Sequence, residues 1–234
     1  MKNIILICSL ILAFTACKTD DKRKVVDTVD AIPELKKEEH SVDIADLPIY
    51  IDSTNYVIHP IGTYSIENSR SSKYSGDSFY SQNYSVAKYN GYRIAGDLSN
   101  VKFQDIHSDV LKPLTNNIIK IHQMSFLFES FKTLKKGYYV YDVIDKDTNA
   151  NGKLDRQDLK SIYISYNDGS HFKRLSPEHQ DLIEWKPLPI NSRLYFKTIE
   201  DTDNNGEFDK KDKMHYFYYD LKATDAKVTE YFPI

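Results

Sequence analysis

Two cysteines, Cys8 and Cys17, are all that this 234-residue chain holds. The first lies in a leading apolar segment read below as removed, so neither a disulfide nor a thiol pair remains to brace the fold or carry redox chemistry. Long hydrophobic runs are also missing. The longest, IILICSLILAF near the start, is too short to cross a bilayer as a helix, and a mean hydropathy of −0.53 excludes a polytopic membrane protein. Neither sign of charge dominates: 31 basic residues against 34 acidic leave a formal charge of −3, which provides no electrostatic footprint for nucleic acid. There is no zincin helix, nucleophile elbow, phosphate-cradling glycine loop or Cys/His cluster, which leaves a carboxylate pair for glycoside hydrolysis, brought together only by the fold, as the enzymatic reading still open. What is present is 41% hydrophobic residues with 18 tyrosines, enough to bury the core of one domain.

The front of the chain is an address. Lys2, the apolar run and then Thr15, Ala16 and Cys17 have the order of a secretory signal. The ending Phe14-Thr15-Ala16-Cys17 resembles the lipobox of bacterial lipoproteins, with Phe14 where Leu is usual. That resemblance implies a signal peptide over 1–16, cleavage before Cys17 and lipidation of Cys17, hence attachment to a membrane through an N-terminal lipid. Residues 17–47 follow, rich in charge and without an aromatic side chain. Such a stretch buries too little apolar surface to offset its ordering entropy, and a flexible charged tether is expected. Lys18, in place of Asp, resembles outer-membrane sorting, and Asp20 with Asp21 resembles the surface-export signal of lipoproteins from Bacteroidetes. The implied location is the outer membrane, exposed at the cell surface.

Residues 48–234 are expected to fold as a single β-repeat domain. The runs PIYIDSTNYVIHPIGTYS, GYYVYDVID, SIYISYN, RLYFKTIED and MHYFYYDL alternate or nearly alternate, and turn residues separate them, which is the pattern of strands. Residues 117–137 read as a strand followed by a helical turn at FESFKTLKK, and the serine-rich 64–85 as a long loop.

The strands repeat. VKFQDIHSDVLKPLT (101–115) lies on IYISYNDGSHFKRLS (162–176) without a gap, and a third copy runs from Tyr216 past Val228 to Tyr231 with two extra residues in its turn. A period of this length suits one small antiparallel sheet per repeat. The best-defined copy, with Asp168-Gly169, Leu175-Ser176 and Trp185, resembles a blade of the TolB-like β-propellers. It departs at WKPLPINS, where that family has a Pro-Asp-Gly turn. Residues 48–234 accommodate three to four such modules, at or below the usual minimum for a closed ring. The expected fold class is therefore all-β: antiparallel meander repeats, propeller-like, partial or open.

Two twelve-residue strings carry the strongest chemical signal, DTNANGKLDRQD (147–158) and DTDNNGEFDKKD (201–212). Each has the EF-hand loop pattern: oxygen-bearing side chains at positions 1, 3, 5, 9 and 12, glycine at 6 and a main-chain carbonyl at 7. A hard cation of calcium size takes six to eight oxygens, so alternate residues must point inward as the backbone curls. Two calcium ions are expected. The ligand sets are Asp147, Asn149, Asn151, Lys153 (carbonyl), Asp155 and Asp158, and Asp201, Asp203, Asn205, Glu207 (carbonyl), Asp209 and Asp212. Leu154 and Phe208 at position 8 are expected to turn away and pin the loop to the core. The flanking segments are strands where a sensor EF-hand has helices, so the ion is expected to staple a strand-to-strand connection, with no helix pair to open.

The remaining residues point to no chemistry of their own. His59, His107, His122 and His215 sit in or beside strands and read as structural. The tyrosines read as cross-strand packing pairs and sheet-face residues. The expected function is a calcium-binding, lipid-anchored envelope protein that acts as a binding or scaffold module for an envelope protein partner. The alternative is a surface glycan-binding or glycan-hydrolysing lipoprotein, with a polysaccharide as its ligand.

Overall fold

A computed structural model describes residue 35 and residues 41–65 and 85–234 of the chain. The signal peptide, Cys17 and most of the tether lie outside the described residues, as do residues 66–84 of the serine-rich segment. The described part is predominantly β. In chain order it holds β1 (Ser41–Ala45), β2 (Ile49–Tyr50), β3 (Tyr56–Ser65), β4 (Ala87–Asn90), β5 (Arg93–Asp105), β6 (Leu111–Pro113) and β7 (Lys120–Phe126). One short helix, α1 (Phe128–Leu134), precedes β8 (Tyr138–Ile144), β9 (Ser161–Tyr166), β10 (Lys173–Arg174) and β11 (Gln180–Leu188). The chain closes with β12 (Arg193–Glu200), β13 (Lys213–Asp220) and β14 (Val228–Glu230).

All pairings are antiparallel and fall into two sheets. The first runs β1-β3-β5-β7-β8-β9-β10, with β2 on β3 and β4 and β6 on β5; the second is the meander β11-β12-β13-β14. Residues 117–137 form β7 followed by α1, in the order read from their sequence. The end of the segment read as tether is not loose: Ser41–Ala45 pairs with Ile61–Ser65 of β3. Its charge-rich composition hides the strand, because an edge strand with one solvated face needs little apolar surface.

The three repeat copies make one hairpin three times. In the first, Phe103 faces Lys112 and Lys102 faces Pro113. In the second, Ile164 faces Lys173 and Tyr163 faces Arg174. In the third, Tyr218 faces Thr229. The same closing bond follows each, from the amides of Leu114, Leu175 and Tyr231 to the carbonyls of Val101, Ile162 and Tyr216. One expectation fails: the copies do not each own a sheet. The first two lie within the ten-stranded sheet and only the third in the meander. Hairpin register is local, whereas sheet membership depends on which distant strand docks alongside.

β8 is the hinge of the packing, with all seven residues buried. One of its faces sends Tyr139, Tyr141 and Val143 into a core with Ile58, Phe103 and Met124. The other sends Tyr138 and Val140 into a second core with Ile162, Leu182, Phe196 and Phe217. A strand covered on both sides has no solvent face to mark with polar residues, which is why YYVYDVI does not alternate cleanly. Its one acid, Asp142, is satisfied from both directions. Gln123 Nε2 donates to Oδ2 at 2.8 Å and Trp185 Nε1 to Oδ1 at 2.6 Å, tying the meander to the larger sheet. The Tyr138 hydroxyl makes a second tie, donating to the Leu221 carbonyl at 3.0 Å.

Candidate metal centre

The two twelve-residue strings form the connections β8–β9 and β12–β13, between strands that are direct antiparallel neighbours. Their backbones curl alike. Position 4 is left-handed in both, Ala150 at φ 57° and Asn204 at φ 53°, as is the glycine at position 6, Gly152 at φ 80° and Gly206 at φ 79°. The glycine adopts that angle without the Cβ clash other residues meet there.

The inward bonds match position by position. The carboxylate at position 1 accepts the amides of positions 5 and 6: Asn151 and Gly152 donate to Asp147 at 3.1 and 2.6 Å, and Asn205 and Gly206 to Asp201 at 3.2 and 2.7 Å. The side-chain oxygen at position 5 accepts the amide of position 7, at 2.9 Å from Lys153 to Asn151 and 2.8 Å from Glu207 to Asn205. At position 12, Asp158 accepts from Asp155 at 2.8 Å and Thr148 at 2.8 Å, and Asp212 from Asp209 at 2.7 Å and Thr202 at 3.1 Å. The carboxylate at position 9 takes the amide of position 11, 2.8 Å from Gln157 to Asp155 and 2.7 Å from Lys211 to Asp209.

In the second loop the carboxylates of Asp201, Asp203 and Asp212 each bring one oxygen within 4.8 Å of the others, and among the described residues this is the one such trio of acidic or imidazole groups. The first loop has Asn at position 3, and its acids do not gather in threes. There the Asn151 amide donates to Asp155 Oδ2 at 3.0 Å. The donor chemistry of both sets is all oxygen, carboxylate and amide, which fits a hard cation and not a soft one. Lys153 and Glu207 have exposed side chains, so neither position 7 asks its side chain to face inward.

The surroundings differ. Leu154 is 6% exposed and Leu159, just after the first loop, 3%. Asp158 has no exposed surface; burial pushes its carboxyl up, against the pull of the amides of Asp155, Thr148 and Asn149. The residues leaving this loop are held by β11, with the Lys160 amide on Asp181 Oδ1 at 2.8 Å and the Leu182 amide on the Lys160 carbonyl at 2.9 Å. In the second loop Phe208 and Asp212 are only partly buried and Lys213 is exposed.

Three of the histidines have structural partners. His59 Nε2 lies 2.8 Å from Gln104 Oε1, and His122 Nδ1 lies 3.3 Å from Asp97. His215 sits at the base of the second loop, its Nε2 2.7 Å from Glu200 and its Nδ1 2.8 Å from Glu230. Sequence reasoning missed this bridge across β12, β13 and β14, because alternation shows which way a side chain points and not what stands opposite. Four tyrosines gather on the outer face of the meander. Tyr231 lies 5.6, 6.1 and 6.2 Å, centroid to centroid, from Tyr195, Tyr216 and Tyr218, and the Arg193 guanidinium stands 4.0 Å over Tyr218.

No family model matches the chain, and no curated protein matches it. Among solved structures it is similar to a protein assigned as TolB from Agrobacterium tumefaciens, with 9% identity and a TM-score of 0.22, over 81% of this chain and 82% of that one. A likeness that slight assigns neither an activity nor a ligand to the chain.

Proposed function

We propose that this chain is a calcium-stapled, lipid-anchored cell-envelope protein that works as a binding or scaffold module, with one calcium ion in 147–158 and a second in 201–212. The observation that carries the reading is the matching inward hydrogen-bond pattern of two loops that join neighbouring antiparallel strands. Bound calcium supplies a hard cation that draws oxygens from distant loop positions together. This chain's own part is to hold the backbone in the curl that aims those oxygens: Asp147 and Asp201 through the amides they accept, Gly152 and Gly206 through their left-handed angle. In this reading the strands stay put and no groove opens.

The address supports the rest. The signal segment, Cys17 and the charged tether support a domain held on a lipid at the outer membrane, with reach, and the fold is read as an open or partial stack of propeller-like meanders. Its half-exposed tyrosine face then stands toward a partner. Ligand charge favours the second loop as the tighter site, since Asp201, Asp203, Asp209 and Asp212 give it one carboxylate more than the first loop has. Extracellular calcium modules work at dissociation constants of about 10⁻⁴ to 10⁻³ M, so neither site needs to bind hard.

Thermal unfolding of the full chain tests the staple. Chelation with EDTA lowers the Tm and added calcium restores it, a stabilisation of about 2.7 kcal/mol per site at a hundredfold excess over the dissociation constant. An unchanged melt in excess EDTA sinks the idea. For the module, affinity isolation of the lipidated protein from envelope membranes is expected to recover one stoichiometric protein complex. Recovery of polysaccharide alone would turn the reading to a surface glycan-binding lipoprotein.

A further inference from the structure

One dipeptide occurs three times in the chain, Asn-Gly at 90–91, 151–152 and 205–206. Asparagine before glycine is open to an internal reaction, because glycine has no side chain to shield its main-chain nitrogen. That nitrogen attacks the asparagine side-chain carbonyl carbon and passes its proton through water to the side-chain nitrogen, which leaves as ammonia. A five-membered succinimide closes, and water then opens it at either carbonyl. Opening at the side-chain carbonyl leaves aspartate. Opening at the main-chain carbonyl leaves isoaspartate, whose backbone runs through the side chain with one methylene added. In balance, one water enters and one ammonia departs.

The three pairs share this chemistry and differ in what holds them. In the two loops the attacking nitrogen is tied down: Gly152 donates to Asp147 at 2.6 Å and Gly206 to Asp201 at 2.7 Å, and both glycines are half-buried. The asparagine side chains are tied as well, by the amides of Lys153 and Glu207 at 2.9 and 2.8 Å. A nitrogen that must give up its proton beside a fixed carboxylate resists doing so, as any acid does next to like charge. Asn90 and Gly91 meet none of these restraints. Asn90 ends β4, a strand of four residues paired among the described residues with β5 alone, and both residues are exposed. Neither the Asn90 side chain nor the Gly91 amide has a hydrogen-bond partner among the described residues. The residue opposite Asn90 is the cation Arg93; one acid, Asp52, stands near the Tyr89 hydroxyl. What is fixed in this turn lies past the reacting atoms. Tyr92 stacks on Phe128 with centroids 4.3 Å apart, and its carbonyl accepts the Phe126 amide at 2.8 Å. The torsions that carry the Asn90 carbonyl carbon to the nitrogen precede that clamp, and the end of a short outer strand frays at small cost.

We propose that Asn90 is a modification site, the Asn-Gly pair of the folded chain that converts to aspartate and isoaspartate, while the bonds to Asp147 and Asp201 protect the same pair in each loop. The two products act differently. Aspartate at 90 faces Arg93 across the hairpin end and gains a cross-strand ion pair. Isoaspartate lengthens the backbone between paired residues, so the closing pair with Arg93 loses its register and the hold of Tyr92 on Phe128 loosens. Either product adds one negative charge. The inference depends on neither calcium, lipid nor partner, so a calcium-insensitive melt leaves it standing, and its own failure leaves the proposed function untouched.

Timed incubation of the folded full chain at mildly alkaline pH is the test, in EDTA so that no cation adds protection of its own. Trypsin cuts after lysine and arginine and puts the three pairs in separate peptides, 89–93, 147–153 and 198–210. Mass spectrometry reads the amide turned to acid, and enzymatic methylation of isoaspartate reads the rearranged backbone. In the folded protein Asn90 is expected to convert at least about tenfold faster than Asn151 or Asn205, the factor expected from breaking one or two hydrogen bonds. In concentrated guanidinium chloride the three rates are expected to draw together, because there the shared dipeptide governs them. No conversion at Asn90, equal rates in the folded chain, or conversion at either loop ahead of Asn90 overturns the proposal. So does a gap of the same size that persists in denaturant, since it would originate in neighbouring residues and not in the fold.

Discussion

Loop 147–158 ends on an aspartate with no exposed surface, holds the buried Leu154 and is followed by the buried Leu159, whereas loop 201–212 ends on a partly exposed Asp212 and is followed by an exposed lysine. Inside, the two make the same bonds at the same positions. Local spacing of Asp, Asn and Gly therefore suffices to curl the backbone, and the curl does not depend on what lies beneath it. Anchoring has another origin. The first loop is braced by β11 through Lys160 and Asp181, while the second ends in a four-stranded meander whose next strand, β14, is only three residues long. The carboxylate trio stands where burial is lighter, as expected when clustered negative charge is cheaper to keep near water.

The largest expected difference between the loops is at position 8. Leu154→Ala should cost about 2–5 kcal/mol, because the buried site loses both transfer energy and packing. Phe208→Ala, at the equivalent but half-exposed position, should cost about 1–2 kcal/mol. Urea unfolding with an unchanged slope measures both, and equal costs would erase the distinction drawn here. Position 12 comes next. In EDTA, Asp158→Ala strands the partly buried amides of Thr148 and Asp155 and should cost about 2 kcal/mol. Asp212→Ala should cost about 1 kcal/mol, since water reaches the amides it leaves behind.

A gain is available at position 4. Ala150 holds a left-handed angle that Asn204 holds in the other loop, and asparagine tolerates that region better than alanine. Ala150→Asn is expected to raise stability by up to about 1 kcal/mol, read as a higher urea midpoint, while Asn204→Ala lowers it by a similar amount. The smallest effect is electrostatic. Arg156 of the first loop reaches Asp97 of β5 at 3.6 Å. The His122 hydrogen bond, with help from Arg156 and Lys120, holds the Asp97 carboxyl below its usual range. A lowered carboxylate stabilises the fold above its unfolded pKa, near 3.9, and loses that contribution as pH falls through the folded value. The side chain is 56% exposed, so Asp97→Asn should cost no more than about 0.5 kcal/mol at pH 6, and the gap should close on acidification below about pH 4.

Much of this architecture is legible along the chain. The runs GYYVYDVID, SIYISYN and RLYFKTIED contain β8, β9 and β12, and MHYFYYDL holds all of β13 but its first residue. The 61-residue offset between copies transfers the hairpin pairing directly, from Phe103 with Lys112 to Ile164 with Lys173. β1 was hidden, because a five-residue edge strand that follows a charge-dense stretch reads as a continuation of it. The Glu200–His215–Glu230 bridge and the Asp145–Arg174 pair were hidden as well, since their members lie 15 and 29 residues apart and no spacing rule links them.

The amino-acid sequence by itself determined the chemistry and curl of both loops, the glycine positions that permit the curl and the register of each hairpin. All of these depend on contacts within a dozen or so residues, where spacing is geometry. Only the tertiary structure decided that two repeat copies share one sheet, that β8 is buried on both faces, and that one loop is sunk and the other raised. These follow from which distant strands dock together, and docking is governed by the summed burial of many apolar side chains, a quantity that no local pattern contains.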